Sequence, residues 1–254
     1  MVITEYRIDA PFPAMTAAVI ADLHDRPFPD VQEKLTKIRP DLVLIPGDLT
    51  SRCYAKETHI GRGFSGKYRA PLEAEAFLRF ATSLAPTFYS RGNHEWWMTP
   101  DDIRVVERTG VCLLDASFER FGPLVIGGLS SAYGYGTSYY KEKHTVPSLS
   151  WLSSFEETEG FHVLLSHNPE YWPQYLKDRR IELTVSGHAH GGQWRIFGQG
   201  IYAPGQGLFP KYTRGMYGDG RFLVSAGLTN TQKLLPRLGN PTELVVLKIG
   251  RDFD

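Results

Sequence analysis

Asp22-Leu23-His24, Gly47-Asp48, Gly92-Asn93-His94-Glu95, Ser166-His167-Asn168 and Gly187-His188-Ala189-His190 are short motifs in which imidazole, carboxylate and amide side chains recur in order along the chain. Five of the eight histidines fall within them. Histidine and carboxylate are ligands of divalent first-row cations, and mixed nitrogen and oxygen donors without thiolate suit Mn, Fe, Zn, Co or Ni without choosing among them. The set is larger than the four ligands that close a structural zinc site, and large enough for two ions. A scattered histidine is usually a packed or surface side chain. An ordered series of this kind implies a two-metal hydrolytic centre instead. His59, His144 and His162 belong to no motif and receive no role.

Each motif ends an apolar run that can serve as its scaffold. Ala17 to Ala21 precedes Asp22, Leu42 to Ile45 precedes Gly47-Asp48, and Thr87 to Tyr89 precedes the Gly92 motif. Val163 to Leu165 precedes His167, and Leu183 to Val185 precedes His188. Continuous apolar runs of this length predict strands covered on both faces. Between them, amphipathic stretches predict helices over 31–38, 73–84 and 101–108, closed by Pro40, Pro86 and Gly110, with Thr99 as a cap and Pro100 at the first helical position. Alternating strands and helices predict an α/β fold with the ligands gathered at the carboxyl edge of a sheet. Further strands at 124–126, 222–225 and 243–249 exceed what one doubly wound sheet needs. The expected architecture is therefore a four-layer α-β-β-α sandwich, two packed mixed sheets flanked by helices, in a single domain over 1–254. Segments 51–71, 132–147 and 197–220 lack clear periodicity, and loops of that length are usually functional or disordered.

Composition limits the partners. The 28 basic and 28 acidic residues balance, so no global field favours nucleic acid or an anionic membrane. Any attraction for a small anionic substrate must be local. Cys53 and Cys112 stand in no metal or redox spacing and read as free thiols of a reducing compartment. No basic-then-apolar leader and no bilayer-length apolar segment is visible, which makes the cytoplasm the expected location. Oligomeric state is not legible.

The motif order resembles that of the calcineurin-like metallophosphoesterases: D-x-H, G-D, G-N-H-E, a lone H, then G-H-x-H. Gly191-Gly192-Gln193, Ala203-Pro204-Gly205-Gln206-Gly207, Phe209-Pro210-Lys211-Tyr212 and Asn240-Pro241-Thr242-Glu243 are similar to the bacterial YkuE-like branch. That branch carries an arginine where this chain reads Ser225-Ala226-Gly227, and Arg237 is a possible substitute. Gly47-Asp48 continues Leu49-Thr50-Ser51-Arg52, which fits neither the Ser/Thr protein phosphatase signature nor the tyrosine ligand of purple acid phosphatases.

The resemblance implies one ion held by Asp22, His24, Asp48 and His190, and a second by Asp48, Asn93, His167 and His188, with Asp48 bridging. It implies in-line attack on phosphorus by a metal-bridging hydroxide, and His94 as general acid to the leaving oxygen. The substrate class stays open among phosphomonoesters, phosphodiesters and, alternatively, a lipid-linked pyrophosphate of the UDP-2,3-diacylglucosamine type. A non-catalytic scaffold of this fold would be expected to have lost ligands.

Weaker candidates surround this set. Glu95 or Asp25 could orient a histidine or be a solvent-exposed acid, and Arg26 or Arg91 could approach a phosphate or lie on the surface. The basic segment 51–71 reads as a lid or a solvated loop. Tyr133, Tyr135, Tyr139 and Tyr140, with Lys141 and Lys143, read as packing, or as side chains that stack on a base or cover a lipid headgroup. Trp96-Trp97 reads as core.

Overall fold

The computed structural model describes residues 1–50, 72–96, 98–133, 146–229 and 236–251. Two six-stranded mixed sheets carry the chain. The first is built from β1 (Val2–Pro13), β2 (Met15–Val19), β3 (Leu42–Ile45), β4 (Thr87–Ser90), β5 (Cys112–Leu114) and β16 (Glu243–Arg251). Its order is β1-β16-β2-β3-β4-β5, with β2 through β5 parallel and β16 antiparallel to β2. The second holds β6 (Ser117–Phe121), β7 (Leu124–Leu129), β8 (Phe161–Ser166), β9 (Leu183–Ser186), β14 (Gly215–Tyr217) and β15 (Phe222–Val224). Here the order is β14-β15-β9-β8-β7-β6, parallel from β15 to β7 and antiparallel at both edges.

Strand periodicity sorts the apolar side chains into layers. Ala17, Val19, Leu42 and Leu44 of the first sheet meet Ile126, Val163, Leu165 and Val185 of the second in the core between them. The alternate residues Ala18, Ile20, Val43 and Ile45 turn outward, onto α1 (Pro29–Ile38) and α2 (Leu72–Leu84) through Leu35, Phe77 and Leu78. Val106 of α3 (Pro100–Glu107) joins that layer. On the far side, Val125, Leu164 and Phe222 pack on Leu152 and Phe155 of α4 (Leu152–Glu157) and on Trp172 and Leu176 of a short π turn. The result is the expected helix-sheet-sheet-helix sandwich. α3 starts as read from sequence: the Thr99 hydroxyl accepts from Asp102 N, and the Asp102 carboxylate accepts from Thr99 N in return.

Between β9 and β14 the chain forms two small ribbons, β10 (Arg195–Ile196) with β11 (Gln199–Gly200), and β12 (Tyr202–Ala203) with β13 (Gly207–Leu208). Among the described residues no helix is long and apolar enough to cross a membrane.

Candidate metal centre

Both sheets direct the carboxyl ends of their parallel strands to one place. The turns after β2, β3 and β4 carry Asp22, Asp48 and Asn93, and those after β8 and β9 carry His167 and His188. The ladder between β2 and β3 continues past the strands, as Asp22 N donates to Gly47 O, His24 N to Asp48 O and Asp25 N to Leu49 O, at 3.3, 3.1 and 2.9 Å. Gly187 N donating to His167 O extends the β8–β9 ladder in the same way, and Leu228 N donating to Ala21 O stitches the second sheet to the first. His188 N donates to both oxygens of Asp22, at 3.1 and 3.2 Å.

Three groups of ligand atoms result, each within 4.8 Å of one another: Asp22 with His24 and His190, Asp48 with His167 and His188, and His24 with Asp48 and His94. All these residues are buried. His167 Nε2 lies 3.1 Å from Asp48 Oδ2, while His24 Nε2 and His94 Nε2 each lie 3.8 Å from it. His190 Nε2 is 3.7 Å from Asp22 Oδ1. Asn93 is buried beside them, and its Oδ1, like His24 Nε2, has no hydrogen-bond partner among the described residues. A buried amide oxygen and imidazole nitrogen left unpaired would be costly unless a cation takes their lone pairs. The donor set fits metal binding on that observation.

The histidine tautomers agree. His24 Nδ1 meets the carbonyl of Thr50 at 3.2 Å and His190 Nδ1 that of Thr229 at 3.4 Å. A carbonyl only accepts, so His24 Nδ1 carries the proton and its Nε2 lone pair faces the carboxylates, whereas His190 Nδ1 also meets a donor, Arg237 Nη2, at 3.2 Å. His188 is oriented the other way. Its Nε2 lies 3.4 Å from Tyr133 Oη, which donates to Glu170 Oε1 at 2.7 Å and accepts from Asn168 Nδ2 at 2.7 Å. With the tyrosine proton committed to Glu170, His188 Nε2 is the donor and Nδ1 is left for the site. Burial, reinforced by the charge of His167, pushes His188 down to about 3. Burial and Arg237 push His190 to about 3, and burial holds His24 well below the usual imidazole range. These rings are neutral at physiological pH, as ligation requires. Burial opposes the charge of Asp48, but His167 and His94 outweigh it and hold its carboxyl well below the ordinary range. His167 reaches about 9, because Asp48's attraction overcomes burial. Asp22 rises to about 7 through burial, against the pull of His167.

The backbone pays for this convergence. Asp22, His24, Asp48, His188 and His190 all have φ between 46° and 66°, the left-handed region that costs a non-glycine residue. Close approach accounts for two motif glycines: a Cβ on Gly92 would collide with Asp48 Oδ1, and one on Gly187 would lie 2.7 Å from Asp22 Oδ2.

Glu95 orients no histidine ring. Its buried carboxylate accepts from Asp48 N, Thr50 N and Gly92 N, each at 2.8 Å, and from the Thr50 hydroxyl at 3.0 Å, which locks the second motif to the third. Burial and Asp48 raise its pKa, and the N–H donor of Thr50 opposes them. Glu95→Ala strands three buried backbone donors, so a loss of about 3 kcal/mol or more is expected in urea unfolding, with a smaller loss for Glu95→Gln. A loss below about 1 kcal/mol would mean that water replaces the carboxylate.

Other sequence candidates lie elsewhere. Arg91 pairs with Asp115 rather than entering the site. Trp96 is exposed, contrary to the core reading, because the turn joining Glu95 to the Thr99 cap runs along the surface. Trp97, the basic segment 51–71, and Tyr135, Tyr139, Tyr140, Lys141 and Lys143 lie outside the described residues. His162 bonds Glu182 and Thr158 and packs on Phe155, away from the centre. Arg237 does reach the site, as its Nη2 donates to Thr229 O at 2.5 Å and lies 3.2 Å from His190 Nδ1. Sequence reasoning missed Tyr133 and Glu170 as supports of His188. Their signal was the polar Asn168 and Glu170 directly after the ligand His167. It also missed Asn240, whose amide donates to His190 O at 2.7 Å.

Comparison with known proteins places this geometry in context. The family model for calcineurin-like phosphoesterases matches residues 15–192. The chain is 26% identical over 243 residues to the uncharacterized protein YpbG of Bacillus subtilis, covering 93% of this chain and 82% of that one. It is 24% identical over 280 residues to the UDP-2,3-diacylglucosamine pyrophosphatase LpxG of Chlamydia muridarum, covering 90% of this chain and 82% of that one. An uncharacterized metallophosphoesterase of Helicobacter pylori is 25% identical over 200 residues, 78% of this chain, and the match spans only 48% of that protein.

Proposed function

The chain belongs to the calcineurin-like phosphoesterase family and is a phosphohydrolase, and from that premise we propose that it is a two-metal phosphoesterase cleaving phosphomonoester or phosphodiester bonds of a small substrate. Asp22, His24, Asp48 and His190 would hold one cation, and Asp48, Asn93, His167 and His188 the other. The observation that carries this reading is the pair of buried donor clusters, Asp22-His24-His190 and Asp48-His167-His188, with His24 also beside Asp48. Two bound cations supply the charge that makes water nucleophilic near neutral pH and that offsets the phosphoryl oxygens.

The chain's own residues do the rest. Asp48 lies between the clusters, with its Oδ2 3.8 Å from His24 Nε2 on one side and 3.1 Å from His167 Nε2 on the other. The carbonyl of Thr50 holds the His24 ring in its ligating tautomer, and the Thr229 carbonyl and Arg237 flank His190 Nδ1. His94 is anchored by its backbone N–H on Asp48 Oδ1 at 3.0 Å, and its ring sits edge-on to His24 with centroids 4.6 Å apart. From there it would give its proton to the departing oxygen. The complete donor set argues against a non-catalytic scaffold. The span of the fold from β1 to β16 supports one catalytic domain over 1–254.

A second reading, hydrolysis of a lipid-linked pyrophosphate, is favoured by the likeness to LpxG of Chlamydia muridarum. The test is removal of metal followed by separate resupply of Mn²⁺, Zn²⁺, Fe²⁺, Ni²⁺ and Mg²⁺, with bis-p-nitrophenyl phosphate beside p-nitrophenyl phosphate. Restored hydrolysis with two ions bound per chain is the expected result, and the diester-to-monoester ratio assigns the class. Saturation at one ion per chain would overturn the two-metal assignment.

A further inference from the structure

The two ribbons that follow His190 expose more apolar surface than folding explains. Phe197 is 105% exposed, Leu208 70% and Phe209 68%. Trp194, Ile196, Tyr202 and Leu238 are exposed as well. The two phenylalanines alone offer on the order of 300 Å² of apolar surface.

These side chains belong to one continuous unit. Trp194 bridges to Leu238, Arg195 pairs with Gly200, Tyr202 pairs with Leu208, and Phe209 N donates to Ile201 O at 2.9 Å. Residues opposed across a ladder share a face, as do residues two apart, so Trp194, Ile196 and Leu238 lie together. Phe197 and Gly198 form the two-residue turn between β10 and β11, with φ of 49° and 83°. A phenylalanine held in the left-handed region with its ring wholly in solvent has strain and exposure without a packing return. Arg195 braces that turn by donating to Gly198 O, Gly191 O and Thr213 Oγ1, so the ring is presented on a stiff hairpin.

Charge selects the partner. No aspartate or glutamate occurs between Glu182 and Asp219, a stretch that contains Arg195, Lys211 and Arg214. Arg214 is paired with Glu243 and the Arg195 guanidinium is engaged within the hairpin, whereas Lys211 is exposed and has no carboxylate partner among the described residues. Protruding aromatic and aliphatic side chains on an acid-free stretch with an exposed lysine fit the interface of an anionic bilayer, where rings enter the acyl boundary and the cation meets lipid phosphate.

We propose that the ribbon unit, through its exposed Trp194, Ile196, Phe197, Leu208, Phe209 and Leu238, docks on an anionic lipid surface, with Lys211 toward the headgroups. The surface is argued independently of the phosphoesterase reading, and its test measures binding rather than turnover. The full chain is floated with vesicles of phosphatidylcholine alone and with vesicles containing phosphatidylglycerol, in low and high salt. Binding is expected only with phosphatidylglycerol and is expected to weaken with salt. It should fall at least about tenfold in Phe197→Ser/Phe209→Ser, with circular dichroism unchanged. Phe197→Trp should bind and shift its emission to the blue on vesicles. Failure of the wild type to bind, or equal binding by the double variant, would overturn the proposal. Self-association in sedimentation that the double variant abolishes, without vesicle binding, would overturn it in favour of a second copy of this chain.

Discussion

Asp48→Asn is expected to lower kcat by at least about 10³-fold, more than the loss of one oxyanion donor usually costs, and to reduce bound metal to one ion or fewer per chain. The position explains the size of the effect. Asp48 Oδ2 is within 3.8 Å of the Nε2 atoms of His24, His94 and His167, so one carboxylate serves both proposed ion sites. Asparagine keeps the shape and leaves Oδ1 to accept from His94 N, so the turn should survive. It removes the negative charge and puts an amide nitrogen where Oδ2 faces both clusters. Elemental analysis and steady-state hydrolysis of bis-p-nitrophenyl phosphate, on the same preparation, check both halves. Full metal content with full activity would exclude Asp48 as the shared ligand.

The second large effect is expected from His94→Asn, with metal content retained and kcat reduced by about 10²–10⁴-fold. His94 sits in the centre but belongs to neither proposed ligand set, so its loss should separate binding from turnover. A general acid matters most when the leaving oxygen is a strong base. The deficit should therefore be larger on phenyl than on p-nitrophenyl esters, and the wild-type dependence on leaving group should steepen in the variant. An equal deficit on both substrates would point to substrate positioning, and a lost metal ion would make His94 a ligand.

The site was legible to the extent that its chemistry depends on side-chain type. The donor positions hold carboxylate, imidazole and amide groups, so Asp22, His24, Asp48, Asn93, His167, His188 and His190 stood out, and the strand ends bring them together. The supports of His24 and His190 were not legible, because the groups involved are the carbonyls of Thr50 and Thr229, which any residue carries. Glu95 was visible but misassigned among alternatives, since its partners are backbone N–H groups on two separate turns.

The fold divides in the same way. Strands buried on both faces announced themselves as apolar runs, and Pro40 and Pro86 marked helix ends. β1 and β6 escaped because edge strands are half solvated, and charged residues such as Glu5, Arg7, Asp9, Glu119 and Arg120 interrupt their pattern. The ribbons of 195–208 are too short to have a period.

β16 lies between β1 and β2, pairing Val2 with Glu243 and Val19 with Val245. During synthesis, then, the first two strands leave the ribosome without the neighbour that separates them, and more than two hundred residues must follow before it arrives. β1 cannot wait by pairing with β2 in the native arrangement, so its backbone donors stay open to improper partners. Contacts of such sequence separation are slow to close. The last sheet contacts made should be those of β1, and pulse-labelled hydrogen exchange on refolding chains should find β1 protected late, after the layers around the second sheet.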